Sequence, residues 1–334
     1  MNDVTVIGAG AWGTTLAIQA VRAGARVQLW ARDPARAAEL ARQRANPRLP
    51  NARLPDAVTV IDDLSRVTGI ALLAVPVQHQ RAILARLPPG LAPLVACAKG
   101  VEAASHLLPL EVVESVHPGT PAAVLTGPNF AHEIAAGLPA AAVVAATQAT
   151  LRNQIIAALS TPAFRLYGND DPVGAQVGGA AKNVIAIAAG TVIGAGLGEN
   201  ARAALITRGL AELARLAVAL GGRAETVMGL SGLGDLLLTC TGPASRNYSL
   251  GLALGRGEKL ADLLAASGAV IEGVATAPAL IARAAASGSP DQLRRRSGTG
   301  VDVPICTAVA ALLDGRTTLQ QAVADLLARP LRDE

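Results

Sequence analysis

Val4-Thr5-Val6-Ile7-Gly8-Ala9-Gly10-Ala11-Trp12-Gly13 decides the fold. A short apolar strand runs straight into G-x-G-x-x-G, and residues 12–23 follow with a helical pattern. On its own the glycine pattern is a weak signal. Between a strand and a helix it is the fingerprint of a dinucleotide-binding turn. Gly8, Gly10 and Gly13 permit the tight turn and the close approach of backbone to a pyrophosphate. The helix behind them, opening at Ala11 and Trp12, offers free N–H groups and the positive end of its dipole.

Outward from this turn, short apolar runs alternate with helical patterns. Strands are expected at 4–7, 27–30, 58–61, 70–75, 94–98 and 122–125, with further strands at 140–146 and 164–167. Helices are expected at 12–23 and 34–44. That alternation predicts a parallel sheet with crossover helices. From about Gly178 the pattern changes to long Ala/Leu-rich segments, such as 180–189 and 201–220, with Gly-rich joints. The fold class is therefore α/β: an N-terminal Rossmann-type dinucleotide-binding domain over 1–177, then an all-helical C-terminal domain over 178–334. No period of 20–50 residues stands out, which argues against a repeat architecture.

Composition removes several classes of function. The chain has 334 residues, a net charge of +4 and no Lys/Arg tract, so nothing favours nucleic-acid binding. Hydrophobic residues make up 51% of it, too many for a disordered chain. The longest uncharged stretches, 134–151 and 183–198, are interrupted by proline or rich in glycine, and neither reads as a membrane span. The N-terminus shows no basic-then-apolar secretory signal, which makes the cytoplasm the expected location. Cys97, Cys240 and Cys306 lie far apart in apolar settings and read as reduced core residues. The four histidines have no metal-ligand spacing, so no metal is expected. The stretch 287–300, with Arg294, Arg295 and Arg296 at its middle, reads as an exposed loop.

The chemistry is carried by a few unusual placements. The second strand ends in Trp30-Ala31-Arg32-Asp33. An acidic side chain there suits the ribose hydroxyls of NAD(H), whereas an arginine suits the 2′-phosphate of NADP(H). Arg32, directly after the strand, tips the balance toward NADP(H). Only three lysines occur, Lys99, Lys182 and Lys259; the chain otherwise uses arginine. Lys259 has ordinary surface surroundings, but Lys99 and Lys182 sit in uncharged ones. A guanidinium does not give up its proton in a protein, and an ammonium can. Lysines kept in apolar settings by an arginine-preferring sequence point to proton transfer or a compact cationic contact. Asp235 follows the pair Gly232 and Gly234, and Ser245-Arg246-Asn247 joins one planar cation to neutral donors, a phosphate-type cluster.

These blocks resemble the bacterial NAD(P)-dependent sn-glycerol-3-phosphate dehydrogenase family. The likeness runs from the glycine turn to about Ile305. It is strongest in Gly178-Gly-Ala-Ala-Lys182-Asn183-Val-Ile-Ala-Ile, Asn200-Ala-Arg-Ala-Ala-Leu-Ile-Thr-Arg208-Gly and Ser231-Gly-Leu-Gly-Asp235-Leu-Leu-Leu-Thr239, with Ser245-Arg246-Asn247. The resemblance implies reversible reduction of dihydroxyacetone phosphate, for glycerophospholipid synthesis. It implies Lys182 as the proton donor and acceptor. Lys99, Gly127, Asn129, Asn183, Asp235, Thr239, Ser245, Arg246 and Asn247 would complete the substrate site. Gly8, Gly10, Ala11, Trp12, Gly13, Arg32, Lys99, Ala131, Arg246, Val270 and Glu272 would hold the cofactor, and a homodimer is the candidate assembly. The chain departs from the family where Asn129 replaces a small hydroxyl residue, where His132 replaces Lys or Arg, and at Ala11, often Ser. The 287–300 loop adds about a dozen residues, as a surface insertion would. The same outline would also suit a dehydrogenase for a hydroxy acid or CoA ester. A non-catalytic nucleotide sensor would need neither apolar-set lysine.

Overall fold

The computed structural model describes residues 2–90, 93–266, 270–287 and 300–329. The chain divides into two compact units. One comprises Met1–Lys99 and Leu107–Gln176; the other comprises Gly100–His106 and Val177–Glu334. Most of the 287–300 loop lies outside the described residues.

The first unit is built on eight strands: β1 (Asp3–Ile7), β2 (Arg26–Trp30), β3 (Val58–Ile61), β4 (Ile70–Leu73), β5 (Leu94–Ala96), β6 (Ala122–Thr126), β7 (Ala140–Ala145) and β8 (Phe164–Asn169). They form one sheet in the order β3-β2-β1-β4-β5-β6-β7-β8. β1 is flanked in parallel by β2 and β4, with Val6 opposite Leu29 on one side and Leu72 on the other. Strand order reverses between β1 and β4, the point where such sheets bind ligands at their carboxyl ends. Alternate residues feed two cores. Val4, Val6, Leu29 and Leu72 pack on one face with Leu16 and Ala17 of α1 (Ala11–Arg22). Ile7, Trp30, Ile61 and Leu73 pack on the other with Ile83, Leu84 and Val112. Burial on both faces explains why these strands read as near-continuous apolar runs.

The expected parallel sheet has one exception: β6 and β7 are antiparallel, with Thr126 opposite Val143 and Val124 opposite Ala145. The connection holds only α5 (Ala131–Ala136), which Gly137 ends in a left-handed conformation (φ 81°). Six residues rise about 9 Å, too little for a crossover back along the sheet.

The second unit is helical among the described residues. α7 (Pro172–Gly194) and α8 (Gly198–Ala219) are its longest elements. α7 is the one described helix long and apolar enough to cross a membrane, and 89% of its most apolar window is buried inside the protein. α7 packs on α11 (Arg246–Gly255) through glycines. A Cβ on Gly190 would lie 2.0 Å from the Tyr248 carbonyl oxygen, and one on Gly251 would lie 1.9 Å from that of Ile187. Gly194 and Gly255 are as tightly confronted, by Leu252 O and Thr191 O. Asn183, Gly190 and Gly194 fall on one stripe of α7 at 3.6 residues per turn, and Asn247, Gly251 and Gly255 on one stripe of α11. The backbone seam thus continues into two facing asparagines.

Candidate active site

The residues expected to act fall in both units. In the first, the glycine turn has the geometry its sequence requires. Gly8 has φ 120°, and a Cβ on Gly13 would lie 1.8 Å from the Gly8 carbonyl oxygen. Gly10 caps α1 with no side-chain bond, so the first N–H groups, at Ala11, Trp12 and Gly13, keep no capping partner. No atom lies within 4 Å of where a Gly10 Cβ would stand. The turn is thus open to a ligand on that side, and an anionic pyrophosphate fits it. Trp12 Nε1 donates to Cys97 O (3.2 Å), and Thr15 Oγ1 of α1 donates to Ala131 O (2.9 Å). These bonds tie the turn to the end of β5 and to the start of α5.

One residue here is not legible in the sequence. Asn46 is 2% exposed and holds the turn from behind. Its Nδ2 donates to Ala9 O (3.2 Å) and to Thr14 Oγ1 (2.6 Å), and its Oδ1 accepts from Arg36 and from Arg48 N. Its sequence neighbourhood, Ala45-Asn46-Pro47, looks like any loop.

Arg32 is exposed at the end of β2. The adjacent Asp33 carboxylate accepts from Ala35 N (2.9 Å) and caps α2 (Pro34–Gln43). The carboxylate is therefore engaged by its own helix. Trp30 is fully buried in the core, with Nε1 donating to Asp62 O (3.0 Å).

At the ends of β5 and β6, half-buried Lys99 donates through Nζ to Gly127 O (2.8 Å). Gly127 has φ 135°, and a Cβ there would lie 3.0 Å from Ala142 Cα. Both amide atoms of Asn129, and Thr126 Oγ1, are buried without a hydrogen-bond partner. Buried polar groups normally have partners, so this corner has donors and an acceptor to spare for a ligand or a water. His132 is largely exposed and stacks on Phe130, with centroids 5.8 Å apart.

In the second unit, Lys182 on α7 is 7% exposed. Its ammonium donates to Asp235 Oδ1 (2.6 Å) and to Thr239 Oγ1 (2.7 Å). Thr239 in turn donates to Asp235 O (2.6 Å). Asp235 opens α10 (Asp235–Cys240), one turn before Thr239 on the same helix, and follows a π-helical turn at Leu230–Gly234. Gly232 is required there, since its Cβ would meet Val227 O at 1.9 Å. Cys240 closes α10, and burial pushes its thiol up to about 12, out of reach as a nucleophile at neutral pH.

Ser245 caps α11, its Oγ accepting from Tyr248 N (3.3 Å). Arg246 at the first helical position is exposed, and Asn247 is buried. Asn247 Nδ2 donates to Asn183 Oδ1 (3.0 Å), and Gly273 N donates to Asn247 Oδ1 (3.0 Å). Gly273 is the second residue of α13 (Glu272–Ala286), directly after Glu272; Val270 is half exposed. The structure thus joins Lys182, Asp235 and Thr239 in one cluster, and Asn183 and Asn247 in another. Among the described residues no group of three or more His, Cys, Asp or Glu side chains could hold a metal ion.

A doubly wound sheet with a glycine turn at its reversal point, and a lysine held in a buried polar cluster, define a dinucleotide-dependent oxidoreductase. Models of the NAD-dependent glycerol-3-phosphate dehydrogenase N-terminus and C-terminus match residues 3–152 and 171–324. The chain belongs to this glycerol-3-phosphate dehydrogenase family. It is 58% identical over 332 residues to glycerol-3-phosphate dehydrogenase [NAD(P)+] of Acidiphilium cryptum, covering 99% of this chain and 98% of that one. The corresponding protein of Gluconobacter oxydans is 51% identical over 98% of this chain and 97% of its own. The crystal structure of glycerol-3-phosphate dehydrogenase from Coxiella burnetii aligns with a TM-score of 0.88 and 36% identity, covering 98% of this chain and 99% of that one.

Proposed function

We propose that this chain catalyses the reversible NAD(P)H-dependent reduction of dihydroxyacetone phosphate to sn-glycerol 3-phosphate, and so supplies glycerophospholipid synthesis. The observation that carries the reading is the buried Lys182–Asp235–Thr239 cluster, in a chain of the glycerol-3-phosphate dehydrogenase family. The nicotinamide of a bound dinucleotide supplies the hydride. The residues of this chain do the rest. Lys182 Nζ gives its proton to the carbonyl oxygen as negative charge develops there. Asp235 and Thr239 hold that nitrogen by two hydrogen bonds, which fixes its direction. In the reverse direction Lys182 takes the proton back.

Arg246, exposed at the start of α11, offers a planar fork of donors to the substrate phosphate, with Ser245 and Asn247 beside it. Lys99, Gly127 and Asn129 take part in substrate binding, with Lys99 also facing the cofactor. The glycine turn, Trp12 and Ala131 serve the dinucleotide, with Arg246, Val270 and Glu272 as further contacts. Arg32 favours NADP(H), because the Asp33 carboxylate that would serve the ribose hydroxyls is engaged in capping α2. The reading places the protein in the cytosol, in keeping with three buried free cysteines. It carries a homodimer as the assembly, which light scattering decides.

A substrate panel tests the activity. NADPH oxidation is expected with dihydroxyacetone phosphate and absent with 3-ketoacyl-CoA or 2-keto acids. Turnover of the latter, without the former, would overturn the substrate assignment.

A further inference from the structure

The two ends of an asparagine amide exchange places by a simple flip, so its orientation has to come from a partner whose role is fixed. Gly273 provides one. A backbone N–H only donates, and at the second position of α13 it has no acceptor within its own helix. It lies 3.0 Å from Asn247 Oδ1. Asn247 Nδ2 is thereby turned to the other side, 3.0 Å from Asn183. An NH2 group there needs an acceptor, so Asn183 meets it with Oδ1. The opposite end of the Asn183 amide is then Nδ2, which has no hydrogen-bond partner among the described residues. The approach is close: a Cβ on Gly273 would lie 2.6 Å from Asn247 Oδ1 and 2.9 Å from Asn183 O. A side chain at 273 would push aside the very atom that the N–H must reach.

We propose that Gly273 is a positioning residue whose N–H, acting through Asn247, orients the Asn183 amide so that it offers the substrate a hydrogen-bond donor and never an acceptor. This rests on the substrate site proposed above. A donor at Asn183 matches a carbonyl oxygen that is gaining negative charge, and its bond strengthens as that charge grows. It also selects against a ligand that presents an N–H at the same place, which would leave two donors facing each other.

Side-chain amide exchange in the full chain, labelled with 15N-asparagine, tests the orientation directly. Asn183→Ser and Asn247→Ser serve to assign the two signals. In the ligand-free protein the Asn247 NH2 should be protected and the Asn183 NH2 should exchange faster, though Asn183 is buried. Added glycerol 3-phosphate should slow the Asn183 pair about tenfold. Protection of Asn183 equal to that of Asn247 in the ligand-free protein, or no change with ligand, overturns the proposal. Gly273→Ala gives the kinetic arm. The KM for dihydroxyacetone phosphate should rise about tenfold, the worth of one displaced hydrogen bond, with the NADPH dissociation constant held within about twofold. A lower melting temperature with both constants unchanged would reduce Gly273 to a structural role and sink the proposal. If Gly273→Ala does not fold, the exchange experiment on the native chain still decides. If the native chain does not turn over dihydroxyacetone phosphate, the substrate reading fails, while exchange in the ligand-free protein still reports the relay.

Discussion

Lys182 is where sequence and structure meet most closely. Its rarity in an arginine-rich chain marks it, and the structure surrounds it with Asp235 and Thr239 at hydrogen-bond distance. Lys182→Arg would keep the charge but not the exchangeable proton, so kcat should fall by about 10²–10⁴. Stopped-flow NADPH oxidation measures this, and near-native turnover would remove the proton-donor role. Arg32 carries a second expectation. An exposed arginine contact to a 2′-phosphate should contribute roughly 1.5–3 kcal/mol, which is about a ten- to hundredfold preference. Arg32→Ala should therefore raise the KM for NADPH and leave that for NADH nearly alone; equal losses would mean that Arg32 stacks on the adenine. Lys182 stands out in the sequence because its type is odd for its surroundings, and Asp235 and Arg246 because of the glycine pair and the neutral donors beside them. Asn46 is not, because an Asn-Pro pair in a loop carries no such mark, and its four polar partners are set by the fold of the segments around it. Trp30 gives the opposite lesson, since it stands beside the cofactor motif in sequence yet belongs to the core.

Apolar runs reveal all eight strands: the central ones are buried on both faces, and β8 at the edge still alternates buried Phe164 and Leu166 with exposed Arg165 and Tyr167. They do not reveal that β7 runs against β6, because an apolar run has no direction and the short α5 decides it. The helical half is legible as helical, but the seam between α7 and α11 is not, since glycines read first as breakers. Gly190→Ala should cost about 1–3 kcal/mol or more, as overpacking does, because its methyl would meet backbone rather than a movable side chain. Urea unfolding checks this, and an unchanged midpoint would contradict the seam. Glu212 of α8 adds a pH dependence. Its carboxylate caps helix α14 (Pro304–Leu313) by accepting from Ile305 N (2.7 Å) and Cys306 N (3.3 Å), and burial raises its pKa to about 7. A group whose pKa is raised on folding binds more protons in the native state. Its contribution is thus fully present below the unfolded value of 4.5 and is lost as pH rises through about 7. Melting temperature should gain a few degrees from pH 8 to pH 5.5 through this group, and Glu212→Gln should flatten that gain. An identical pH profile in the variant would contradict it.

Across the whole chain, the candidate site residues are divided between the two units. The first holds the glycine turn, Arg32 and Lys99; the second holds Lys182, Asp235, Arg246 and the asparagine relay. The resemblance to glycerol-3-phosphate dehydrogenases is readable from the blocks around Lys182, Asp235 and Arg246, because those blocks are long and specific. The assignment of Gly100–His106 to the second unit is not readable that way, because it depends on packing far from that segment in sequence. The decisive measurement is steady-state turnover of the purified full chain with NADPH and dihydroxyacetone phosphate, with chiral analysis of the product. Turnover of about 1–10³ s⁻¹, yielding sn-glycerol 3-phosphate alone, is the expected result. Tight dinucleotide binding with no consumption of dihydroxyacetone phosphate would contradict it and leave the protein a nucleotide-binding member of an enzyme family.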